Sequence, residues 1–331
     1  MSEQQDVITI KIGSRTRHVK VPRSWDDLDD RTALLFYGTL FHGMGDGMTQ
    51  GTFTTVKLIG MTQHLLGLDM DVMAAWERSL TPSPSPVERG DAGDQVFLEE
   101  LKQVLKVALA GLFEITQDEK TGATGYAVKY NRTRNVWPAL TRTPKGNGKT
   151  KKTTWYYCAA DGLANITIYE LAHTFSLYEA FAHTGDEALA DKLIGTLYRP
   201  SRPETVQERE SAWHGDRRQP LRGYEGKVEE RAKMAKTLPA LTRRFLVFWF
   251  AGCREAIVKQ YPRVFRREGD GDRGAGGSNW GKLLLSLAET GTFGPLGETS
   301  DQHYSNALTY MTMKDEEAER MRREMEKTKK K

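Results

Sequence analysis

The sequence predicts a mainly α-helical protein, with a small N-terminal β-hairpin, a multi-helix body with flexible linkers, and an extended C-terminal helix. Three observations carry this expectation. Ile168, Leu171, Phe175, Tyr178 and Phe181 are spaced 3, 4, 3 and 3 residues apart, which sets apolar side chains on one face of a helix with about 3.6 residues per turn. Proline and glycine gather in TPSPSPVERGDAGD (residues 81–94) and EGDGDRGAGGSN (residues 268–279), compositions that favour extended, solvated chain. The last stretch, MKDEEAERMRREMEKTKKK, places Glu316, Glu319 and Glu326 four residues before Arg320, Arg323 and Lys330, a pattern that supports a helix with little packing.

The elements follow in order. VITIKI (residues 7–12) and TRHVKV (residues 16–21) alternate about Gly13-Ser14 and form a hairpin. Trp25 and Leu28 lead into a helix carrying Leu34, Leu35, Tyr37, Leu40 and Phe41. Asp26, Asp27, Asp29 and Asp30 sit where a helix N-terminus favours negative charge. A second helix covers about residues 53–66, and the Pro-rich linker follows. From Phe97, the positions Leu101, Val104, Leu105, Ala108 and Leu112 share a helical face. FEITQDEKTGATGYAVKY then gives two short strands about a Gly-containing turn. Thr167 and Glu170 have capping-box spacing, each side chain satisfying a backbone N–H that the helix start leaves open. That helix ends at residues 184–186, Thr-Gly-Asp, and a shorter one with Leu189, Leu193, Ile194 and Leu197 stops at Arg199-Pro200. A helix resumes near Gly226, and Pro239 opens another that runs to about Gln260, closed by Pro262. After the Gly-rich linker come a helix from about Trp280 to Glu289 and a final one from near Asp301. The expected organisation is an N-terminal region (1–80), a linker (81–96), a main helical domain (97–265), a second linker (266–279) and a C-terminal segment (280–331).

Composition bounds the function. A net charge of +4 and a pI near 8.8 favour association with nucleic acid without requiring it. The two cysteines, Cys158 and Cys253, stand far apart and outside any C-x-x-C pair, which argues against a disulfide framework or a cysteine zinc site. MSEQQDVITIKIG has no signal-peptide pattern, so a cytoplasmic location is expected. The densest apolar run, FLVFWFAGC (residues 245–253), is far short of the roughly 20 residues that span a bilayer. It reads as a core helix, and no membrane partner is expected.

Chemistry-bearing motifs are sparse. GNGKTKK (residues 146–152) has Thr143 where a phosphate loop needs its first glycine. His214 and Asp216 have metal-like spacing but no third ligand nearby. Counting twelve from Asp270 reaches Gly281, where a calcium loop needs Glu. His173 and His183, ten apart on one helix, fall on different faces. No G-x-S-x-G, H-E-x-x-H or G-x-G-x-x-G occurs, so no catalytic, cofactor or metal residue is assigned.

Two stretches remain. From Lys129 to Ala160 there are eight basic residues and no acidic one. Arg142, Lys145, Lys149, Lys151, Lys152, Trp155 and Tyr156 are the candidate nucleic-acid contacts, since cations neutralise phosphates and aromatic rings stack on bases. The alternative is a solvated basic loop flanked by core aromatics. Between two apolar helices lies LYRPSRPETVQERESAWHGDRRQPLRGY (residues 197–224), a connection long enough to be functional or disordered. Trp213 and Tyr224 would anchor such an interaction loop. Arg217 and Arg218 would either pin it through carboxylate pairs or meet a partner's acidic surface. In the tail, Met321 and Met325 form an adaptable apolar strip. A helix this polar is marginal alone and is expected to order against a partner or another copy of itself.

Three blocks resemble tail-assembly and tail-associated proteins of tailed phages and prophages. They are VPRSWDDL (residues 21–28); DGLANITIYE (161–170) with LYRP (197–200) and HGDRRQP (214–220); and WGKLLLSLAETGTFGPLGETSDQHYSNALTYM (280–311). The resemblance implies a non-enzymatic helical protein, made in the host cytoplasm, that contacts other phage structural or assembly proteins and is either incorporated in the virion or acts transiently. Nucleic-acid binding through residues 129–157 is the alternative.

Overall fold

A computed structural model describes residues 7–12, 15–41, 110–117, 124–142, 153–202, 216–265 and 280–329. The expected helices over residues 53–66 and from Phe97, and both linkers, lie outside them. The chain divides into two compact units, Met1–Arg132 and Thr133–Lys331. The described part is mainly helical, with a small three-stranded antiparallel sheet in mid-chain and a long C-terminal helix.

In the first unit, β1 (Val7–Ile12) pairs antiparallel with β2 (Arg15–Lys20), Ile12 opposite Arg15, as the alternation predicts. The acidic cluster then does two capping jobs. Ser24 accepts from Asp26 N, while Asp27 Oδ2 accepts from Ser24 N, closing a capping box on the short 3-10 turn Trp25–Asp27. Asp29 accepts from both the backbone and the hydroxyl of Thr32 at the start of α1 (Asp30–Phe41). Those bonds hold its carboxyl below the ordinary value. Trp25 is buried, donates Nε1–H to Leu112 O at 3.3 Å and meets Phe113 edge-on. Arg132 is buried beside it. It donates to Trp25 O at 2.8 Å and pairs with Asp30 at 2.7 Å. Phe113 starts β3 (Phe113–Gln117), which pairs antiparallel with β4 (Thr124–Val128).

The second unit is built on α2 (Ile168–Thr184), α3 (Glu187–Leu197), α4 (Val228–Ala235), α5 (Ala240–Gln260), α6 (Trp280–Glu289), α7 (Leu296–Asp301) and α8 (Tyr304–Lys329). The FLVFWFAGC run of α5 is buried on almost every side, as a fully apolar helix must be. Phe175 of α2 meets Phe250 of α5 and Trp280 of α6 edge-on, with centroids 6.0 and 5.6 Å apart. Among the described residues, no helix is long and apolar enough to cross a membrane.

Helix boundaries follow local chemistry. Thr167 accepts from Glu170 N at 3.2 Å, and Gly185 ends α2 with φ of 70°, a conformation that costs glycine little. The capping box expected there is only half formed, because the Glu170 carboxylate turns inward to two arginines. The start of α8 is tied to the start of α2. Ile168 N donates to Gln302 O, Tyr304 N to Ile166 O, and His303 Nε2–H to Ala164 O at 2.7 Å. With Nε2 carrying the proton, Nδ1 accepts from Ser305.

Three strands complete the unit. β5 (Ala139–Arg142), β6 (Thr154–Tyr157) and β7 (Arg199–Pro200) form an antiparallel sheet in that order. The basic loop is therefore the connection of a β-hairpin, an arrangement that the sequence reading does not contain. Arg199-Pro200, expected only to stop a helix, is the third strand.

Helix α3 packs on α4 so closely that a Cβ on Gly195 would stand 2.8 Å from Ala232 N. Gly195→Ala is expected to lower the unfolding free energy by about 1–3 kcal/mol in urea denaturation. Gly226→Ala, where an added Cβ meets nothing within 4 Å, should not.

Candidate functional site

The sheet and the Arg-rich connection meet at one place. Strand β7 continues past Pro200, and the chain that returns at Asp216 pairs with it: Gln219 N donates to Pro200 O and Arg202 N to Arg217 O, both at 2.8 Å, with a bridge between Ser201 and Arg218. Residues 203–215, Trp213 among them, lie outside the described residues. Their two ends are thus held side by side.

Beneath this closure sits a buried cluster of four charges, Glu170, Arg199, Asp216 and Arg218. Arg218 grips Asp216 with Nε at 2.8 Å from Oδ1 and Nη2 at 2.7 Å from Oδ2, a fork-like pairing that fits guanidinium to carboxylate. Its Nη2 also reaches Glu170 Oε2 at 3.2 Å, and Nη1 donates to Leu197 O. Arg199 stands 2.6 Å from Glu170 and 3.7 Å from Asp216. The charges of Glu170 and Asp216 hold it in place against the cost of burial. Two cations and two anions cancel, which is the condition for burying charge at tolerable cost.

The electrostatics agree. Burial pulls Arg199 down to about 10, leaving it charged at neutral pH. Burial would also lower Arg218, but Glu170 and Asp216 outweigh it and raise the pKa. For Asp216, burial pushes upward, but the Arg218 and Arg199 charges and the hydrogen bonds from Arg218 together outweigh it and hold the carboxyl below its ordinary value. Nearby, burial pushes the Cys158 thiol up to about 12, so it stays protonated at neutral pH and presents no thiolate nucleophile. Tyr198 donates to Trp137 O at 2.6 Å and accepts from Asn135 at 3.0 Å. With the carboxylates occupied by arginines, the cluster fixes backbone rather than offering a free base. Among the described residues, no three His, Cys, Asp or Glu side chains gather as a metal-binding group.

The structure separates residues that are adjacent in sequence. Arg218 is 1% exposed and pins the connection through carboxylates, the first of the two roles open to it. In this arrangement it is not a surface contact. Arg217 is exposed, with its guanidinium 5.3 Å above the Tyr157 ring. Tyr224 is exposed. Its ring is available, and its carbonyl accepts from Arg231. Of the basic stretch, Arg142 is exposed at the end of β5, and Trp155 of β6 is 53% exposed. Tyr156 is buried, so its ring is core rather than a stacking platform. Lys145, Lys149, Lys151 and Lys152 lie outside the described residues. Met321 and Met325 are exposed on α8. His173, with burial lowering its pKa, is a boundary histidine, while His183 is exposed.

Sequence reasoning gave Glu170 only a capping role and Arg199 only a helix-stopping one, and connected neither with Asp216 and Arg218. One signal was present: Glu170 and Arg199 are single charges set in apolar surroundings, IYELAHTF and IGTLYRP. A charge in such a place needs a partner.

Asp216→Ala strands Arg218 and should cost roughly 3–5 kcal/mol of stability, whereas Arg217→Ala, one residue away, should change it by less than about 0.5 kcal/mol. Chemical denaturation measures both. A carboxylate with a depressed folded pKa stabilises the fold above its unfolded value, and that contribution drains as pH falls through the folded pKa. Wild-type stability should therefore keep falling with acid below about pH 4, and Asp216→Asn should lack that part of the slope.

No protein-family model, curated protein or solved structure matches the chain, so the case for its function rests on its own residues.

Proposed function

We propose that this chain is a non-enzymatic assembly protein of the tail-associated kind found among tailed phages and prophages, working in the host cytoplasm through contacts with other phage structural or assembly proteins. The observation that carries the proposal is the reach of α8. Its buried residues end at Leu308, yet the helix continues to Lys329, roughly 30 Å further at about 1.5 Å per residue. Where α8 meets the body, Arg263 pairs with Asp315, Glu316 and Glu319. Beyond that collar, Met321 and Met325 are bare. A polar helix extended with exposed methionines is suited to protein contact. The two ends of the Arg-rich connection, Arg202 and Asp216, are fixed beside the buried charge cluster, a rigid base for whatever lies between them.

The test is co-purification of the tagged full chain from phage-producing cells. Tail or other virion components should accompany it, and a chain lacking residues 312–331 should recover less of them. Recovery of no structural protein would overturn the proposal.

A second reading has one observation in its favour: exposed Trp155 on the strand that ends the basic hairpin, opposite Thr141 and beside Arg142. An exposed ring next to cations is a stacking platform for unpaired bases. Filter binding to single-stranded DNA should then weaken steeply as salt rises, and replacing Lys149, Lys151 and Lys152 by Gln should flatten that slope. Binding unchanged in the triple variant would remove this stretch from consideration.

A further inference from the structure

One face of α8 has a pattern that its contacts within the chain do not use. Tyr304, Ala307, Met311, Lys314, Ala318, Met321, Met325 and Thr328 are separated by steps of 3, 4, 3, 4, 3, 4 and 3, the spacing that keeps a stripe facing a partner helix. The start of the stripe is consumed within the unit, since Tyr304 and Ala307 are buried and Met311 packs on the core. The end is open, with Met321 47% and Met325 64% exposed and Thr328 exposed. Arg263 does not cover it. Asp315, Glu316 and Glu319, which it holds, lie roughly 145° around the helix from the open stripe at about 100° per residue.

The charges beside the stripe choose the partner. Glu317 and Glu324 flank it on one side, and Arg322 and Lys329 on the other. In a parallel pair, each flanking residue meets the opposite flank of its partner five positions on. Glu317 then faces Arg322 of the second copy, and Glu324 faces Lys329. Two-fold symmetry repeats both attractions. In an antiparallel pair like flanks meet, so Glu faces Glu and the basic residues face one another. Among the described residues, Arg322, Glu324 and Lys329 form no ion pair within the chain.

We infer that residues 318–328 of α8 pair in parallel with the same segment of a second copy, making the protein a two-fold dimer. The seam uses the same Met321 and Met325 on which the proposed protein contacts rest, so a second copy and another partner exclude each other on this face. Lys314 marks where the pairing stops: it falls on the stripe, but its ammonium is tied to Glu317 at 2.8 Å and lies over the Tyr310 ring. The seam spans fewer than the three to four heptads of a self-sufficient coiled coil, so the dimer is weak and concentration-dependent.

Sedimentation velocity of the full chain over a concentration series at low salt should show monomer passing to dimer. Met321→Lys with Met325→Lys should abolish the shift. Arg322→Glu with Lys329→Glu, which sets like charges opposite each other, should weaken dimerisation by about tenfold or more. Orientation is read by Thr328→Cys. Cys158 and Cys253 are buried, so mild oxidation should link dimers through residue 328, which meets itself only in the parallel pair. A monomer at all concentrations, or a dimer indifferent to the methionine and charge variants, would overturn the inference. A dimer that Thr328→Cys fails to cross-link would overturn the parallel arrangement.

Discussion

Charge taken out of water must be neutralised locally, and in the second unit this requirement falls on Glu170, Arg199, Asp216 and Arg218. The four come from different places: the first turn of α2, strand β7, and the chain returning from the long connection. None can be moved alone, since displacing one leaves uncompensated charge buried away from solvent. The cluster therefore specifies which segment lies against which. It sets the position of β7, and through β7 the sheet β7–β6–β5 that ends in the basic hairpin. An apolar contact in the same place would tolerate sliding, whereas a forked guanidinium–carboxylate pair does not.

This explains why the helices were legible in the sequence and the site only partly so. The starts of α2, α5 and α6 rest on neighbours in sequence: the Thr167 hydroxyl, Pro239, and Trp280 after a glycine-rich stretch. Such signals act over a single turn and can be read without the fold. The β5–β6–β7 sheet depends on pairing Tyr157 with Arg199, residues far apart in the chain, and two-residue β7 is too short to show any periodicity. Arg217 and Arg218 make the same point. They are identical in type and adjacent, yet one is solvated and the other sealed, because a strand sends successive side chains to opposite faces. Which faces inward is settled by Pro200 and Ser201 across the pairing. The Glu170 half of the Thr167–Glu170 box was misjudged for a related reason: a buried arginine binds a carboxylate more strongly than one backbone N–H does.

The first unit shows the opposite economy. Its acidic run serves local ends in sequence order, Asp27 capping the 3-10 turn and Asp29 capping α1, while Asp30 reaches a distant residue, Arg132. Here the expectation that carboxylates gather at helix starts was sufficient, because the geometry that satisfies them is contained within four residues.

The paired ends of the connection over residues 203–215 have a consequence for how this protein can change. Because Arg202 and Arg217 are already joined by backbone bonds above the charge cluster, the cost of bringing them together does not depend on what the intervening segment contacts. Doubling the length of a flexible segment between two fixed points costs only about 0.6 kcal/mol in closure entropy. What keeps the two ends together is the pairing of Arg202 with Arg217 and the charges of Glu170, Arg199, Asp216 and Arg218, all of them outside residues 203–215. The closure is thus encoded at the two ends of the connection and not in its length.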